Sequence, residues 1–234
     1  MNLVLLFDED FVSSHTVHLA GRRLEHIKEI LKAQTGKELI VGKVNGLIGR
    51  GIITKLTDQV VQMHVTLNQK PPDPWRGTLI MPMIRPLMFK RLLLTASSLG
   101  IKSIVVLNFS RVEKSLWQSS VLTEKAIKEQ LVLGLEQGRD TLMPKVTLRP
   151  RFKPFLEDEL PALSEETYKI VAHPKGEPCP YKINQQVTLV IGPEGGLVDF
   201  EIESLKKLGF VLVDLGSRIL KVETALPFIM GRIF

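Results

Sequence analysis

The chain has 234 residues, of which 44% are apolar and 24% are charged. This composition is ordinary for a globular protein and too apolar for a disordered one, and the length suits one large or two small domains. The longest apolar runs are far shorter than the roughly 20 residues of a membrane-spanning helix, and no basic flank of a secretory signal precedes the first of them. A single cysteine, Cys179, excludes an internal disulfide framework and zinc sites built on paired cysteines. We therefore expect a cytoplasmic protein without a metal site or a membrane segment.

The net charge of +6 is distributed unevenly. Residues 74–155 carry 14 basic and 5 acidic side chains, whereas residues 1–73 carry 9 and 8, and residues 156–234 carry 8 and 12. A basic middle region attracts polyanions because each neutralised phosphate releases bound cations. The charge pattern favours a nucleic-acid partner over its alternative, an ordinary solvated surface.

Three prolines within residues 71–74 mark the clearest domain boundary, since proline is excluded from helix interiors and central strands. Before it, the apolar spacing of residues 22–34 predicts an amphipathic helix, with Gly36 as its stop. Residues 38–41, 47–53 and 60–67 are predicted to be short strands. Residues 1–72 are thus predicted to form a small β-barrel-like domain.

After the prolines, apolar strands alternate with helices, which is typical of an α/β domain with a mostly parallel sheet. The strands are predicted at residues 78–84, 103–107, 168–172, 187–191 and 210–215, and the helices at 86–99, 123–135 and 199–208. This second domain is predicted to span residues 73–234. Its last ten residues, 225–234, are apolar enough for a helix that packs internally or at an interface.

Three predicted strands end in segments suited to ligand binding. Ile191-Gly-Pro-Glu-Gly-Gly196 follows one strand, Leu215-Gly-Ser217 follows another, and His173-Pro174 follows a third. Glycines expose backbone groups to a ligand, and ligands of open α/β sheets bind beyond the carboxyl ends of the strands. Neither glycine turn has the lysine of a P-loop or the spacing of a dinucleotide fingerprint. The three segments are expected to line one pocket.

The paired motifs Ile191-Gly-Pro-Glu-Gly-Gly196 and Leu215-Gly-x-Arg-Ile-Leu-Lys-Val-Glu-Thr-Ala225 resemble those of the RsmE-type 16S ribosomal RNA (uridine N3) methyltransferases of the SPOUT superfamily. Arg23-Leu-x-His26, Arg111-Val-Glu-Lys-Ser115 and Glu136-Gln-x-x-Arg139 follow in the family's order. Lys221 stands where many members have arginine.

The resemblance implies a PUA-like first domain and a methyltransferase domain whose C-terminal segment forms a trefoil knot. It also implies a homodimer that uses S-adenosylmethionine to methylate a uridine in the 3′ decoding region of 16S rRNA in the small ribosomal subunit. The cofactor would contact the following residues: Ala172, His173, Ile191, Gly192, Glu194, Gly195, Gly196, Leu215, Gly216, Ser217, Ile219, Leu220, Thr224 and Ala225.

Methylation of uridine N3 requires loss of its proton, so a base or a group that stabilises the anion is needed. Glu223 is the candidate base, with an ordering role in its loop as the alternative. Arg111 and Arg139 are candidates for stabilising the anion or gripping phosphates. The candidate RNA-binding residues are Arg22, Arg23, His26, Lys28, Arg85, Lys90 and Lys114.

Two other functions stay open at this point. A non-catalytic RNA-binding or ribosome-assembly protein would keep the scaffold without binding S-adenosylmethionine. A related SPOUT methyltransferase would bind the cofactor and act on tRNA instead.

Overall fold

A computed structural model describes residues 2–234, which divide into two compact units. The first unit comprises the chain up to Asp73 together with Leu135–Met143, and the second comprises Pro74–Gly134 and Pro144–Phe234. Residues 135–143, which the sequence analysis placed in the second domain, pack with the first unit because the amides of Asn2 and Leu3 donate to the carbonyl of Glu136.

The first unit contains a six-stranded mixed sheet whose strands are β1 Val4–Leu6, β2 Phe11–Ser13, β3 Thr16–Leu19, β4 Glu38–Lys43, β5 Ile48–Leu56 and β6 Val61–Gln69. Their order is β1-β4-β5-β6-β3-β2, and among the described residues only β1 and β4 pair in parallel. Side chains on β5 and β6 alternate between buried and exposed, so one face of the sheet covers a core of aliphatic residues. The three N-terminal strands were not predicted, since three or four residues are too few to show an alternation.

The helix predicted over residues 22–34 is shorter than expected. A single helical turn, α1 (Arg22–Glu25), continues into a π-helical turn at His26–Ile30, where the Leu31 amide donates to the His26 carbonyl five residues back. Lys32 then adopts a left-handed conformation with φ +44° and ends the helix. The apolar spacing continues beyond this point, which is why periodicity overextended the helix.

The second unit contains a six-stranded, entirely parallel sheet whose strands are β7 Trp75–Pro82, β8 Ile101–Leu107, β9 Lys145–Arg149, β10 Tyr168–Pro178, β11 Val187–Ile191 and β12 Val211–Asp214. Their order is β12-β10-β11-β7-β8-β9. Its helices are α2 Pro86–Ser98, α3 Glu124–Gly138 (which ends in the first unit), α4 Phe152–Pro154, α5 Leu160–Leu163, α6 Asp199–Lys207 and α7 Val222–Ile233. The predicted α/β class with a parallel sheet is confirmed.

Every residue of β11 is buried, as expected of an apolar run in a central parallel strand. The chain continues from β7 to β8 towards one edge of the sheet and from β11 to β12 at the opposite edge, so the neighbours β7 and β11 flank a topological switch point. Ligands of open α/β sheets bind at such a point, beyond the carboxyl ends of the strands. Across residues 2–234, none of the helices is both long and apolar enough to span a bilayer.

Candidate active site

A cavity of about 590 Å³ opens at the carboxyl ends of β10, β11 and β12. This volume is within the range of small-molecule sites, which is roughly 300–1,000 Å³. Three strand-end segments form its walls, as the sequence predicted: Ala172–Lys175, Ile191–Leu197 (except Gly195), and the chain from Asp214 to Ala225 in part. Helix α6, Leu212 of β12 and Arg111 complete the lining.

The first wall is a bulge in β10. The pairing register between β10 and β12 shifts between Ala172 and Glu177, so residues 173–176 leave the regular ladder. Three of these four residues, His173 to Lys175, line the cavity. Glycine at position 176 allows the chain to lie close to β12 again after the bulge, because a Cβ there would lie 2.5 Å from the Leu212 and Val213 backbones.

The second wall is the glycine turn after β11. Gly196 has φ +74°, and its amide donates to the Pro193 carbonyl at 2.8 Å. Gly192 lines the cavity. A Cβ at this position would lie 3.0 Å from the Leu197 side chain, so there is no room for a larger residue. From the loop after β8, the Arg111 guanidinium reaches this turn and donates to the Gly195 carbonyl at 2.5 Å.

The third wall follows β12. Gly216, with φ +114°, donates its amide to the Asp214 carboxylate at 3.2 Å, which shapes the first bend. Beyond it, apolar side chains face the cavity: Leu215, Ile219, Leu220, Val222 and Ala225. Ile219 is 80% exposed, so it forms an apolar rim that nothing within the described chain covers.

Charges of both signs surround the apolar walls. The basic lining residues are Arg111, Lys175, Lys206 and Arg218, and the acidic ones are Glu194, Asp199, Glu203 and Asp214. Lys206 and Glu203 pair with each other at 3.1 Å on the surface of α6. Such a lining suits a ligand that is part apolar and part zwitterionic.

His173 lines the cavity, and its imidazole is neutral at pH 7 and above. Burial, and then the positive charges of Lys175 and Lys206, lower the pKa of His173 from 6.5. Its Nδ1 also accepts the Lys175 amide at 3.1 Å, which a protonated nitrogen cannot do. The ring therefore carries its proton on Nε2.

Ten of the fourteen predicted cofactor residues line this cavity; Gly195, Gly216, Ser217 and Thr224 do not. The face of α6 that lines the cavity was not predicted. Asp199, Ile202, Glu203 and Lys206 recur at helical spacing, a signal that was available once the helix had been placed beside the glycine turn.

The three predicted catalytic residues have different surroundings. Arg111 lines the cavity. Glu223 lies in the first turn of α7 outside the lining, with its Oε2 buried and without a hydrogen-bond partner among the described residues. Arg139 belongs to the first unit, where it is exposed with φ +54°.

Four of the predicted RNA-binding residues are in the first unit. Arg22 donates to the buried Glu136 carboxylate at 2.8 Å, Lys28 pairs with Asp58 at 2.7 Å, and Arg23 pairs with the buried Asp10. Burial raises the pKa of Glu136 despite the opposing charge of Arg22. Burial also lowers the pKa of His26, whose Nε2 is buried without a partner among the described residues.

The other three predicted RNA-binding residues, Arg85, Lys90 and Lys114, are exposed on the second unit. Within residues 2–234, no cluster of three or more histidine, cysteine, aspartate or glutamate side chains is arranged to hold a metal ion.

Comparison with known proteins agrees with this architecture. A family model described as an RNA methyltransferase domain matches residues 71–233, about 70% of the chain. The chain belongs to this RNA methyltransferase family. The match begins at the proline stretch and includes every segment that lines the cavity.

Relatives within the family match over nearly the full chain. "Ribosomal RNA small subunit methyltransferase E" of Treponema pallidum is 28% identical over 232 residues, covering 96% of this chain and 87% of the relative. "Ribosomal RNA small subunit methyltransferase E 1" of Borreliella burgdorferi is 24% identical over 229 residues, covering 96% and 94%.

Solved structures share the fold of this RNA methyltransferase. Ribosomal RNA small subunit methyltransferase E of Neisseria gonorrhoeae, bound to S-adenosyl methionine, matches with a TM-score of 0.74 at 19% identity, over 98% of this chain and 96% of that one. A methyltransferase of Legionella pneumophila with bound SAM matches with a TM-score of 0.76 at 18% identity, over 98% and 95%.

Proposed function

We propose that this RNA methyltransferase transfers a methyl group from S-adenosylmethionine to N3 of a uridine in the 3′ decoding region of 16S rRNA. The single observation that carries the proposal is the cavity, because both motifs of the family resemblance and the bulge of β10 line it together. The relatives' names, which specify the small-subunit ribosomal RNA, support the substrate. They favour this function over a non-catalytic assembly protein and over a methyltransferase of tRNA.

The residues present fit S-adenosylmethionine. The flat adenine requires apolar cover, which Leu215, Ile219 and Leu220 can supply, and the backbone at Gly192 leaves no side chain in the way. Its amino-acid part and its sulfonium carry charges that the acidic and basic lining residues can match. When bound, the cofactor supplies an electrophilic methyl group on a cationic sulfur, so no metal ion is required for the transfer.

The side chains of this chain must then orient the uridine and handle the N3 proton. The methyl carbon and N3 must be aligned at near-attack distance, which binding in a fixed pocket can achieve. Transfer breaks the S–CH₃ bond, forms an N3–CH₃ bond and sends the N3 proton to a base. We assign Arg111 to stabilise the developing negative charge on the uracil ring, because this arginine lines the cavity.

Glu223 and Arg139 keep their predicted roles as proposals. Oε2 of Glu223 is buried and has no hydrogen-bond partner among the described residues. Because buried polar atoms are normally paired, this oxygen needs a partner, and a proton can serve as one. Arg139 is exposed and is assigned to RNA.

We also infer the remaining features of the family resemblance for this protein. These are a PUA-like first domain, a trefoil knot that includes residues 215–225, a homodimer, and a place in the cytoplasm. The exposed Arg85, Lys90 and Lys114 are assigned to the RNA backbone.

Calorimetric titration with S-adenosylmethionine tests the cofactor site. The wild-type protein is expected to bind, and Ile219→Asp is expected to bind about ten- to a hundredfold more weakly, as loss of one aliphatic side chain that the cofactor would cover predicts. Ile219 is exposed, so its replacement leaves the core intact. Ile30→Asp, at an isoleucine that is 68% exposed in the first unit, is the control and should bind like wild type. If the wild-type protein does not bind S-adenosylmethionine at millimolar concentration, the proposed methyltransferase activity is refuted.

Mass spectrometry of rRNA tests the substrate. Cells without this gene should lack N3-methyluridine in 16S rRNA, and the wild-type gene should restore it while the Ile219→Asp gene restores less. An unchanged modification together with loss of a methyl group in tRNA would support the tRNA alternative.

A further inference from the structure

Glu201 is a carboxylate with no exposed surface, in the first turn of α6. One of its oxygens accepts the amide of Ser110 at 2.7 Å, and the other accepts the amide of Val198 at 3.0 Å. The Val198 bond caps the helix that follows the glycine turn. The Ser110 bond is different in kind, because it joins α6 to the loop after β8, 91 residues earlier in the chain.

A buried carboxylate is costly unless hydrogen bonds compensate for the lost water. Here both oxygens are occupied by backbone N–H groups, and such charge-assisted bonds are stronger than neutral ones. The arrangement therefore fixes the Ser110 backbone relative to the start of α6.

Arg111 is the residue after Ser110, and its side chain contacts the glycine turn that precedes α6. Its guanidinium donates to the Gly195 carbonyl at 2.5 Å. A Cβ at Gly195 would lie 3.2 Å and 3.3 Å from the Arg111 Cβ and Cδ, so the arginine side chain lies along the bare glycine. The β8 loop is thus joined to the glycine turn and its helix at two points, Glu201 and Arg111.

We propose that Glu201 is a positioning residue that holds Arg111 in the cavity. An arginine side chain has many rotamers, and fixing the backbone beside it reduces the entropy lost when the guanidinium is directed at one site. Glu201 itself does not line the cavity, so it acts through Arg111. The role of Arg111 in methyl transfer rests on the proposed function, whereas the attachment of its loop does not.

Amide hydrogen exchange, measured by NMR on the ligand-free protein, tests the attachment. Glu201→Gln keeps one acceptor oxygen but places an NH₂ group against the other backbone donor. The amide of Ser110 and the guanidinium protons of Arg111 should exchange about tenfold faster or more in this variant than in wild type. Glu166→Gln, at an exposed glutamate, is the control and should leave both rates unchanged. Unchanged rates in Glu201→Gln would overturn the proposal.

Methyl-transfer kinetics test the consequence for Arg111. Glu201→Gln is expected to lower kcat about ten- to a hundredfold, as displacement of a reacting group by about 1 Å does, with the cofactor KM changed less than twofold. The same substitution should cost nothing further in an Arg111→Ala background. Losses that multiply in the double variant would show that Glu201 acts independently of Arg111, and would overturn the positioning role.

A second variant tests the proposal if Glu201→Gln does not fold. Glu201→Asp keeps the charge but is one methylene shorter, so it cannot reach both amides at these distances; it should lower kcat in the same way. If the wild-type protein transfers no methyl group, the proposed function fails, and the exchange rates alone then decide whether Glu201 holds the Arg111 loop.

Discussion

Arg22 and Arg23 are adjacent in sequence but differ in their surroundings. The side chain of Arg22 is 48% exposed, whereas that of Arg23 is 16% exposed and faces an Asp10 carboxylate that is 6% exposed. The two terminal guanidinium nitrogens of Arg23, Nη1 and Nη2, donate to the Asp10 carboxylate, and Nη1 also donates to the Leu5 carbonyl at 2.8 Å. Arg23 therefore stabilises the first unit by joining Asp10 to Leu5 of β1, and Arg22 is the more accessible of the two arginines for a phosphate.

Removing the charge of Arg23 should destabilise the protein. Arg23→Gln leaves Asp10 buried without its cation, and breaking a buried pair in this way costs about 3–5 kcal/mol. Arg50→Gln is the matched control, because Arg50 and Glu38 form a pair that is 69% and 45% exposed. The control should lose less than about 1 kcal/mol. Urea unfolding measures both, and equal losses would mean that the Arg23 pair is no more important than a surface one.

His173 should make stability depend on pH. Its pKa is below 6.5 in the folded protein, so between that value and 6.5 the unfolded chain binds more protons than the folded one. The free energy of unfolding should therefore fall as the pH is lowered below about 6.5, with no contribution from His173 above it. His173→Asn keeps an acceptor for the Lys175 amide but does not titrate, so stability should fall less between pH 7.5 and 5.5. An NMR-measured pKa at or above 6.5 would contradict this account.

Helix packing within the second unit depends on small residues. Ser97 of α2 donates its hydroxyl to the Leu131 carbonyl of α3 at 2.8 Å, and Gly134 lies one turn further along α3. A Cβ at Gly134 would lie 2.5 Å from both the Leu94 carbonyl oxygen and the Ser97 Cβ. The two helices are therefore too close for any residue larger than glycine at this position.

Two alanine substitutions separate packing from helix propensity. In an open helix, alanine in place of glycine stabilises by about 0.5–1 kcal/mol. Gly231→Ala, in α7 with no atom within 4 Å of the new Cβ apart from its chain neighbours and the adjacent helix backbone, should raise the free energy of unfolding by that amount. Gly134→Ala should lower it, because overpacking costs about 1–3 kcal/mol. Thermal or urea unfolding of both variants checks the signs, and stabilisation by Gly134→Ala would show that α2 and α3 can separate.

The elements that the sequence predicted well are those whose local pattern is strong. The apolar run at Val187–Ile191 matches β11 residue for residue, and Asp199–Lys207 ends one residue before the predicted helix does. The bulge at residues 173–176 could not be predicted, because it results from pairing with β12 some 40 residues later. The same holds for Glu201, whose partner Ser110 is adjacent only in three dimensions.

The residues that line the cavity could be predicted from the sequence only in part. Strand ends in a parallel sheet meet at one edge, so the three cavity walls followed from topology and glycine content. The lining face of α6 required knowing how that helix is rotated, and the burial of Arg23 required knowing where Asp10 folds. Neither is encoded in spacing along the chain.

At the scale of the whole molecule, charge is segregated along the sequence. The basic excess lies in residues 74–155, whereas residues 156–234, which supply most of the cavity lining, are acidic overall. A segment with a net negative charge does not attract the phosphate backbone of RNA. RNA affinity is therefore expected to come from exposed lysines and arginines of the middle region, including Lys90 on α2 and Lys125 on α3.

Salt dependence of RNA binding distinguishes specific basic contacts from net charge. Each phosphate contact contributes about 0.7–0.9 to the slope of log Kd against log salt concentration. Lys90→Gln with Lys125→Gln should weaken binding of a 16S rRNA fragment and reduce the slope by up to about 1.8. Lys182→Gln with Lys207→Gln removes the same charge from exposed positions in the acidic region and should leave the slope unchanged. Fluorescence anisotropy at several salt concentrations measures both, and equal effects would mean that overall charge, rather than the middle region, attracts the RNA.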